Sequence, residues 1–232
     1  MKLEKITKTS KGRAGRWYED ACGTALGLEL VGERWALLIL RELMFGPRRF
    51  GELKADLVGI SANVLTQRLE GLEAAGILHR RRLPPPAAAP VYELTPWGCE
   101  AEPAIQALGR WAVRSPRHDP TLPLSAAAIM LSLRTMMNGE ASRALPPCRI
   151  AFQFGEVLFL ARLEAGHLAI RREAGEADLL WRTDPTTLAA LVYRKRPIED
   201  AEAAGQLALR GDRALARRFI DLFELPEKAG RP

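Results

Sequence analysis

Residues 115–123 read Ser-Pro-Arg-His-Asp-Pro-Thr-Leu-Pro, and neither a helix interior nor a central strand can run through them. A proline has no backbone N–H to donate, fixes φ near −65°, and pushes the residue before it toward extended backbone. The chain therefore divides here, with 115–122 as a linker between two units. The two sides differ in kind. Before the break, hydrophobic residues recur with the 3.6-residue period of helices; beyond it, from about residue 149, short alternating runs are separated by glycine-bearing turns. With 47% hydrophobic and 27% charged residues in 232, there is apolar material for both cores.

In the first unit an apolar helical pattern runs from Trp17 to about Leu30. The next, Glu33–Leu43, is apolar over too wide a face for a surface helix and reads as the centre of a small bundle, stopped by Gly46-Pro47. Arg49 to Leu57 makes a short third helix, and Gly59 supplies a turn. Ser61 then caps a fourth helix that reaches Ala75, with Leu65, Leu69 and Leu72 as its buried stripe and Gly76 as its stop. Ile77–Leu83 and Val91–Leu94 read as strands joined by a proline- and alanine-rich loop, and a helix capped by Thr95 runs to about Arg114. Helices, a turn, a strand pair and a closing helix in that order make a winged helix-turn-helix.

The second unit begins with an apolar helix, Ser125–Asn138. Arg149–Phe154 and Val157–Glu164 flank Gly155-Glu156, a two-residue hairpin turn, and Leu168–Arg172 and Leu179–Arg182 continue what reads as an antiparallel meander. A helix from Thr183 to Arg194, a strand at Leu207–Leu209 and a helix from Asp212 to Phe223 complete it. The fold class is thus α+β: a winged helix-turn-helix domain over 17–114, then a small α+β domain over 123–225 with an antiparallel sheet and covering helices.

Charge narrows the function less than its total suggests. The net charge is +6, but six of the basic residues fall in the first 16 positions, a basic arm, and the rest of the first half is slightly acidic. Placement has to carry any case for nucleic acid. The chain has no phosphate-cradling glycine loop, no nucleophile elbow and no zinc-protease helix motif, so an enzyme has no support in it. Three histidines and three cysteines, widely spaced, argue against a metal site and for free thiols, and no cofactor is expected. The chain shows neither an apolar run long enough to cross a membrane nor an apolar leader, and a cytoplasmic protein is expected.

A helix-turn-helix reads DNA by laying its second helix in the major groove, so polar side chains must point away from the stripe that anchors that helix. At 100° per residue, Asn63 and Gln67 lie almost opposite Leu65, with Thr66 and Arg68 on the flanks and Ser61 at the helix start. These five are the candidates for base edges and groove. Arg48, Arg49 and Lys54 at the first helix of the motif, and Arg80, Arg81 and Arg82 at the wing, are the candidates for phosphate. Because strand side chains alternate, only some of the wing arginines can face DNA.

These pieces resemble a known family. Cys22, Leu30-Val-Gly-Glu-Arg-Trp35, Arg49-Phe-Gly-Glu-Leu53, Gly59-Ile-Ser61, Leu65-Thr-Gln-Arg-Leu69, Leu72-Glu-Ala-Ala-Gly76 and Tyr92-Glu-Leu-Thr95, with Gly98 and Trp111, look like the HxlR-type (MarR-like) bacterial transcription regulators. The resemblance implies a homodimer on double-stranded operator DNA. It also implies two alternative roles for Cys22, a plain structural one or oxidant sensing, since some members use a cysteine there. The family's Cys-Pro is Cys22-Gly23 here, and Cys99 and Cys148 read as packing residues.

The stretch Gly205–Phe223, with the strands and helix before it, resembles sterol-carrier-protein-2-like domains. That implies a cavity for an apolar small molecule, and hence a ligand sensor. The competing reading has Phe152, Phe154, Phe159, Leu188, Leu191, Phe219 and Leu222 filling the core, leaving the domain to dimerise or space. Apolar surface at Trp17, Leu26, Leu28 and Leu30, and at Leu108, Trp111 and Val113, favours a homodimer. The alternative function is a hydrophobic-ligand carrier whose winged helix makes protein contacts.

Overall fold

The computed structural model describes residues 18–84 and 89–230. The basic arm, Trp17 and the tip of the wing lie outside them. Helix α1 (Gly23–Val31) buries none of its residues. Helix α2 (Ala36–Leu43) buries Ala36, Ile39, Leu40, Glu42 and Leu43 and is the axis of the first core, as its wide apolar face requires. Around it sit α3 (Phe50–Asp56) and α4 (Ala62–Ala74), whose Leu53, Leu65, Leu69 and Leu72 are all buried. Ser61 accepts the Val64 N–H at 3.2 Å and caps α4, which satisfies one of the N–H groups left open at a helix start. Gly59, at φ +93°, turns the chain between the two helices, a conformation few other residues adopt at low cost.

Strands β1 (Leu78–Arg82) and β2 (Pro90–Leu94) form the antiparallel wing, with Arg80 opposite Tyr92 and Arg81 opposite Val91. The single helix expected from Thr95 to Arg114 is two, α5 (Pro96–Cys99) and α6 (Glu102–Ala112). Pro103 explains the break: in a continuous helix its ring would meet the carbonyl of Cys99 four residues back.

In the second unit α7 (Ala126–Met136) starts at Ser125, whose hydroxyl accepts the Ala128 N–H at 3.0 Å. A short α8 (Gly139–Ser142) leads to β3 (Cys148–Phe154), β4 (Val157–Glu164), β5 (His167–Arg171) and β6 (Leu179–Thr183). Then come α9 (Pro185–Tyr193), capped by Asp184, α10 (Ile198–Ala203), β7 (Leu207–Gly211) and α11 (Arg213–Ile220). The sheet runs β5-β4-β3-β6-β7. Strands β3 to β5 are the meander read from the sequence, and β6 pairs antiparallel with β7. Strand β6, however, crosses back to lie parallel to β3. Its alternative place, beyond β5, would leave β3 at an edge, although every second residue of β3 from Cys148 to Phe154, and Ala151 besides, is buried.

The second core is aromatic. Phe152, Phe159, Trp181, Phe219 and Phe223 are fully buried; Phe152, Trp181, Phe219 and Phe223 make edge and tilted contacts 4.9–6.5 Å apart, and Phe159 meets Phe154 at 6.2 Å. All seven residues that could have lined a cavity or filled a core, from Phe152 to Leu222, are buried in one cluster. The surprise is a guest: Phe45, just beyond α2, belongs to this second cluster rather than the first, its ring edge-on to Phe159 at 5.5 Å. Arg134 of α7 lies over the Phe45 ring at 4.8 Å and pairs with Glu102 of α6 at 2.5 Å. Buried Glu42 accepts the Ser125 hydroxyl at 2.6 Å. The C-terminal tail returns to the proline-rich segment, with the Ala229 N–H donating to the Arg114 carbonyl at 2.8 Å. The two units are therefore docked through packed and hydrogen-bonded side chains. Among the described residues no helix is long and apolar enough to cross a membrane.

Candidate nucleic-acid interface

Helix α4 is anchored in the first core through Leu65, Leu69 and Leu72, and that anchoring decides which residues face outward. Asn63, Thr66 and Gln67 are exposed, as is Ser61 at the cap. Three side chains able both to donate and to accept hydrogen bonds thus stand together on one open helix face, the chemistry that base edges require.

Arg68 belongs less clearly with them. It lies about 60° from Leu65 on the helix and leans toward the turn between α1 and α2, where it pairs with Glu33 at 2.7 Å and donates to the Arg34 carbonyl at 3.1 Å. Its guanidinium clamps α4 to that turn. Nothing in the local pattern signalled this, because Glu33 is 35 residues away.

The cationic candidates separate sharply. Arg48 is a correction: it is 8% exposed, its guanidinium is held by Asp56 and by Glu52 at 3.6 Å, and its backbone exchanges hydrogen bonds with Tyr92 at 2.9 and 2.8 Å. The extended segment after Gly46-Pro47 turns it inward, so that it ties the start of the motif to the wing rather than reaching for phosphate. Arg81 is likewise engaged, by Glu93, toward which His79 also leans at 3.7 Å. Arg80 and Arg82, on the opposite face of β1, are exposed, and neither has an ion pair among the described residues. The Arg80 guanidinium rests 6.0 Å from the Tyr92 ring. Arg49 is exposed and Lys54 half-buried, both without an ion pair among the described residues. Four cations, Arg49, Lys54, Arg80 and Arg82, thus keep a charge without an ion pair among the described residues.

Cys22 is exposed at the start of α1. The open N–H groups of Thr24 and Ala25 at the start of α1, with the nearby Thr24 hydroxyl, favour the thiolate and hold its thiol below the ordinary range, as expected at a helix N-terminus. Cys148 is buried, whereas Cys99, read as a packing residue, is exposed; both thiols move the other way, raised mainly by partial desolvation.

The chain matches the family model described as HxlR-like helix-turn-helix over residues 30–119. It is 30% identical over 109 residues to YtfH, an uncharacterized HTH-type transcriptional regulator of Escherichia coli, covering 47% of this chain and 86% of that protein. It is 37% identical over 83 residues to the HTH-type transcriptional regulator YodB of Bacillus subtilis, covering 36% and 74% respectively. Among solved structures, the reduced form of YodB covers 43% of this chain and all of its own, at 32% identity and a TM-score of 0.39.

Proposed function

The chain belongs to the HxlR-like helix-turn-helix family of transcriptional regulators, and from that premise we propose that it binds operator DNA as a homodimer and regulates transcription in the cytoplasm. The observation that carries the reading is the outer surface of α4: Asn63 and Gln67 exposed opposite, and Thr66 exposed beside, a buried leucine stripe. In this reading α4 enters the major groove, those side chains and Ser61 address bases or groove edges, and Arg68 sets the helix at its angle. Arg49, Lys54, Arg80 and Arg82 hold phosphates, which gives affinity without sequence preference.

A dimer supplies two reading helices. Leu26 and Leu28 of α1 and Leu108 and Trp111 of α6 are exposed, Trp111 by 71%, and a second copy would cover such surface. Two helices about 34–36 Å apart ask for an imperfect palindrome on that spacing. The second unit, with the likeness to sterol-carrier-protein-2-like domains noted above, supplies a sensor for an apolar small molecule, its occupancy altering the fit to DNA. Cys22, with its lowered thiol pKa, is a candidate for oxidation.

Mobility shifts with the DNA upstream of the chain's own coding sequence, at two salt concentrations, test the reading. The expected result is a specific complex over a salt-sensitive background. DNA binding that is weak and indifferent to sequence would favour the alternative, a hydrophobic-ligand carrier whose winged helix contacts proteins.

A further inference from the structure

Four of the large apolar side chains that the protein leaves exposed, Leu38, Leu108, Leu122 and Leu124, border a single hollow. Helices α2 and α6 of the first unit form one side of it, α7 and α9 of the second unit the other, and the proline-rich segment closes it along an edge. The hollow measures about 480 Å³, within the range of small-molecule pockets. At roughly 30 Å³ per water-sized group it would hold about 16 non-hydrogen atoms. A larger hollow of about 760 Å³ on the second unit is bordered mainly by charged and backbone groups of strand ends, including Arg149, Arg162, Glu164 and Asp178, and offers an apolar molecule little.

The junction hollow also has one polar point. Ser132 Oγ and the Tyr193 hydroxyl lie 2.6 Å apart, and both residues line it. One hydrogen bond between two hydroxyls uses one of their two O–H donors. The other has no protein acceptor among the described residues. Burial pushes the Tyr193 phenol above its ordinary range, so the proton stays in place.

The charged groups near the rim are hydrogen-bonded, and Arg41 is ion-paired. Arg41 holds Glu42 at 2.7 Å, and Asp119 accepts the Thr121 N–H and hydroxyl at 2.9 and 2.6 Å. Lys228, beside His118, donates to the carbonyls of Val113 and Ser115 at 2.9 and 3.3 Å. An anionic ligand would find the one arginine of the lining, Arg41, already paired, and among the described lining residues no lysine. We propose that the hollow between the two units is a binding site for a neutral, largely apolar molecule of this size whose single oxygen acceptor meets the Ser132–Tyr193 hydroxyl pair.

The proposal rests on the sensor reading above but moves the site from the filled interior of the second unit to the junction. There it has a direct route to DNA. Helix α6 turns Ala112 into the hollow and Trp111 out to the surface assigned to the dimer. A molecule wedged against α2 and α6 that prefers one docking of the units over another shifts the spacing of the reading helices by its differential affinity.

The test uses the full chain and prodan, a neutral naphthalene ketone of suitable size whose emission shifts to the blue in apolar surroundings. The expected result is saturable binding, one per chain. Ala112→Trp, which fills the hollow from an exposed position, should weaken it at least tenfold with the thermal midpoint kept, and Tyr193→Phe several-fold. An effect of Ala112→Trp alone would keep the hollow and overturn the hydroxyl contact. Binding that neither variant changes would overturn the junction site and leave sensing elsewhere in the second unit standing. Binding weakened by both variants, with operator affinity unchanged at saturating prodan, would uphold the site and overturn sensing. No binding, or an Ala112→Trp chain that becomes monomeric while the parent dimer binds no prodan, would show that a second copy occupies the hollow or that nothing does, and would overturn the proposal.

Discussion

Phe45→Ala should unlock the two halves of the molecule from each other. The ring is 6% exposed and packs against both Phe159 and the Arg134 guanidinium. A phenylalanine buries about 150–250 Å², so at roughly 25 cal/mol/Å² its burial is worth about 4–6 kcal/mol in gross terms. Alanine keeps the first carbon, and the hole left behind collapses only in part, which sets the expected loss at about 3–5 kcal/mol. Because Phe45 follows α2 of the first unit and packs in the core of the second, the loss falls on the docking of the two. Urea unfolding followed by far-ultraviolet dichroism, to which both units contribute, and by tryptophan fluorescence, in which four of the five tryptophans belong to the first unit and only Trp181 to the second, distinguishes the halves. The parent chain should give coincident transitions; the variant should give transitions that separate, with the first at clearly lower urea. A loss below about 1 kcal/mol with the probes still coincident would refute the reasoning, because a packed aromatic of this burial cannot be removed so cheaply.

Asn63→Ala and Gln67→Ala should each relax operator preference by about 1–3 kcal/mol at one position of each half-site, read by competition with single-base operator variants; unchanged preference in both would take them out of the interface. Arg82→Ala should weaken all DNA alike and flatten the salt dependence by about one unit. Arg48→Ala should instead cost about 1.5–3 kcal/mol of folding stability through its lost charged hydrogen bonds, with the salt slope kept, and a lost slope without destabilisation would contradict its inward placement. Iodoacetamide should label Cys22 first: its thiol is lowered while Cys99 and Cys148 are raised, so its labelling rate should climb at lower pH than theirs, and equal rates across pH 6–9 would count against the helix-end effect.

What the sequence made legible is whatever local chemistry decides. The stripe at Leu65, Leu69 and Leu72, the cap at Ser61, the glycine turn and the Gly155-Glu156 hairpin each depend on neighbours within a few positions, and each stands where the pattern puts it. The outward set Asn63, Thr66 and Gln67 follows from the same stripe. The partners of Arg48 and Arg68 are not legible for a common reason: the carboxylates or carbonyls that hold them are brought close by tertiary folding, and an arginine's long side chain can satisfy either reading. The parallel place of β6 is invisible for a related reason. Its own alternation gives its two faces, and nothing local says which edge of the sheet it will join. Pro103 was readable, and a helix drawn across it should have been broken there.

Phe45 gives the proline-rich segment at 115–122 a different meaning from the one its composition suggests. It is a seam in the chain but not in the folded body. A winged helix cut free at that seam would carry a bare aromatic ring beside α2, together with a buried carboxylate, Glu42, that had lost the Ser125 hydroxyl, and would be a sticky, weakened fragment. The same holds for inheritance. A second unit of this kind cannot be transplanted onto another winged helix by joining the chains alone; the recipient must also offer a large apolar side chain just past its second helix, where Phe159 waits for it. The two halves are separable as text and interlocked as matter, so changes at position 45 and in the pocket around Phe159 are expected to be accepted only in pairs.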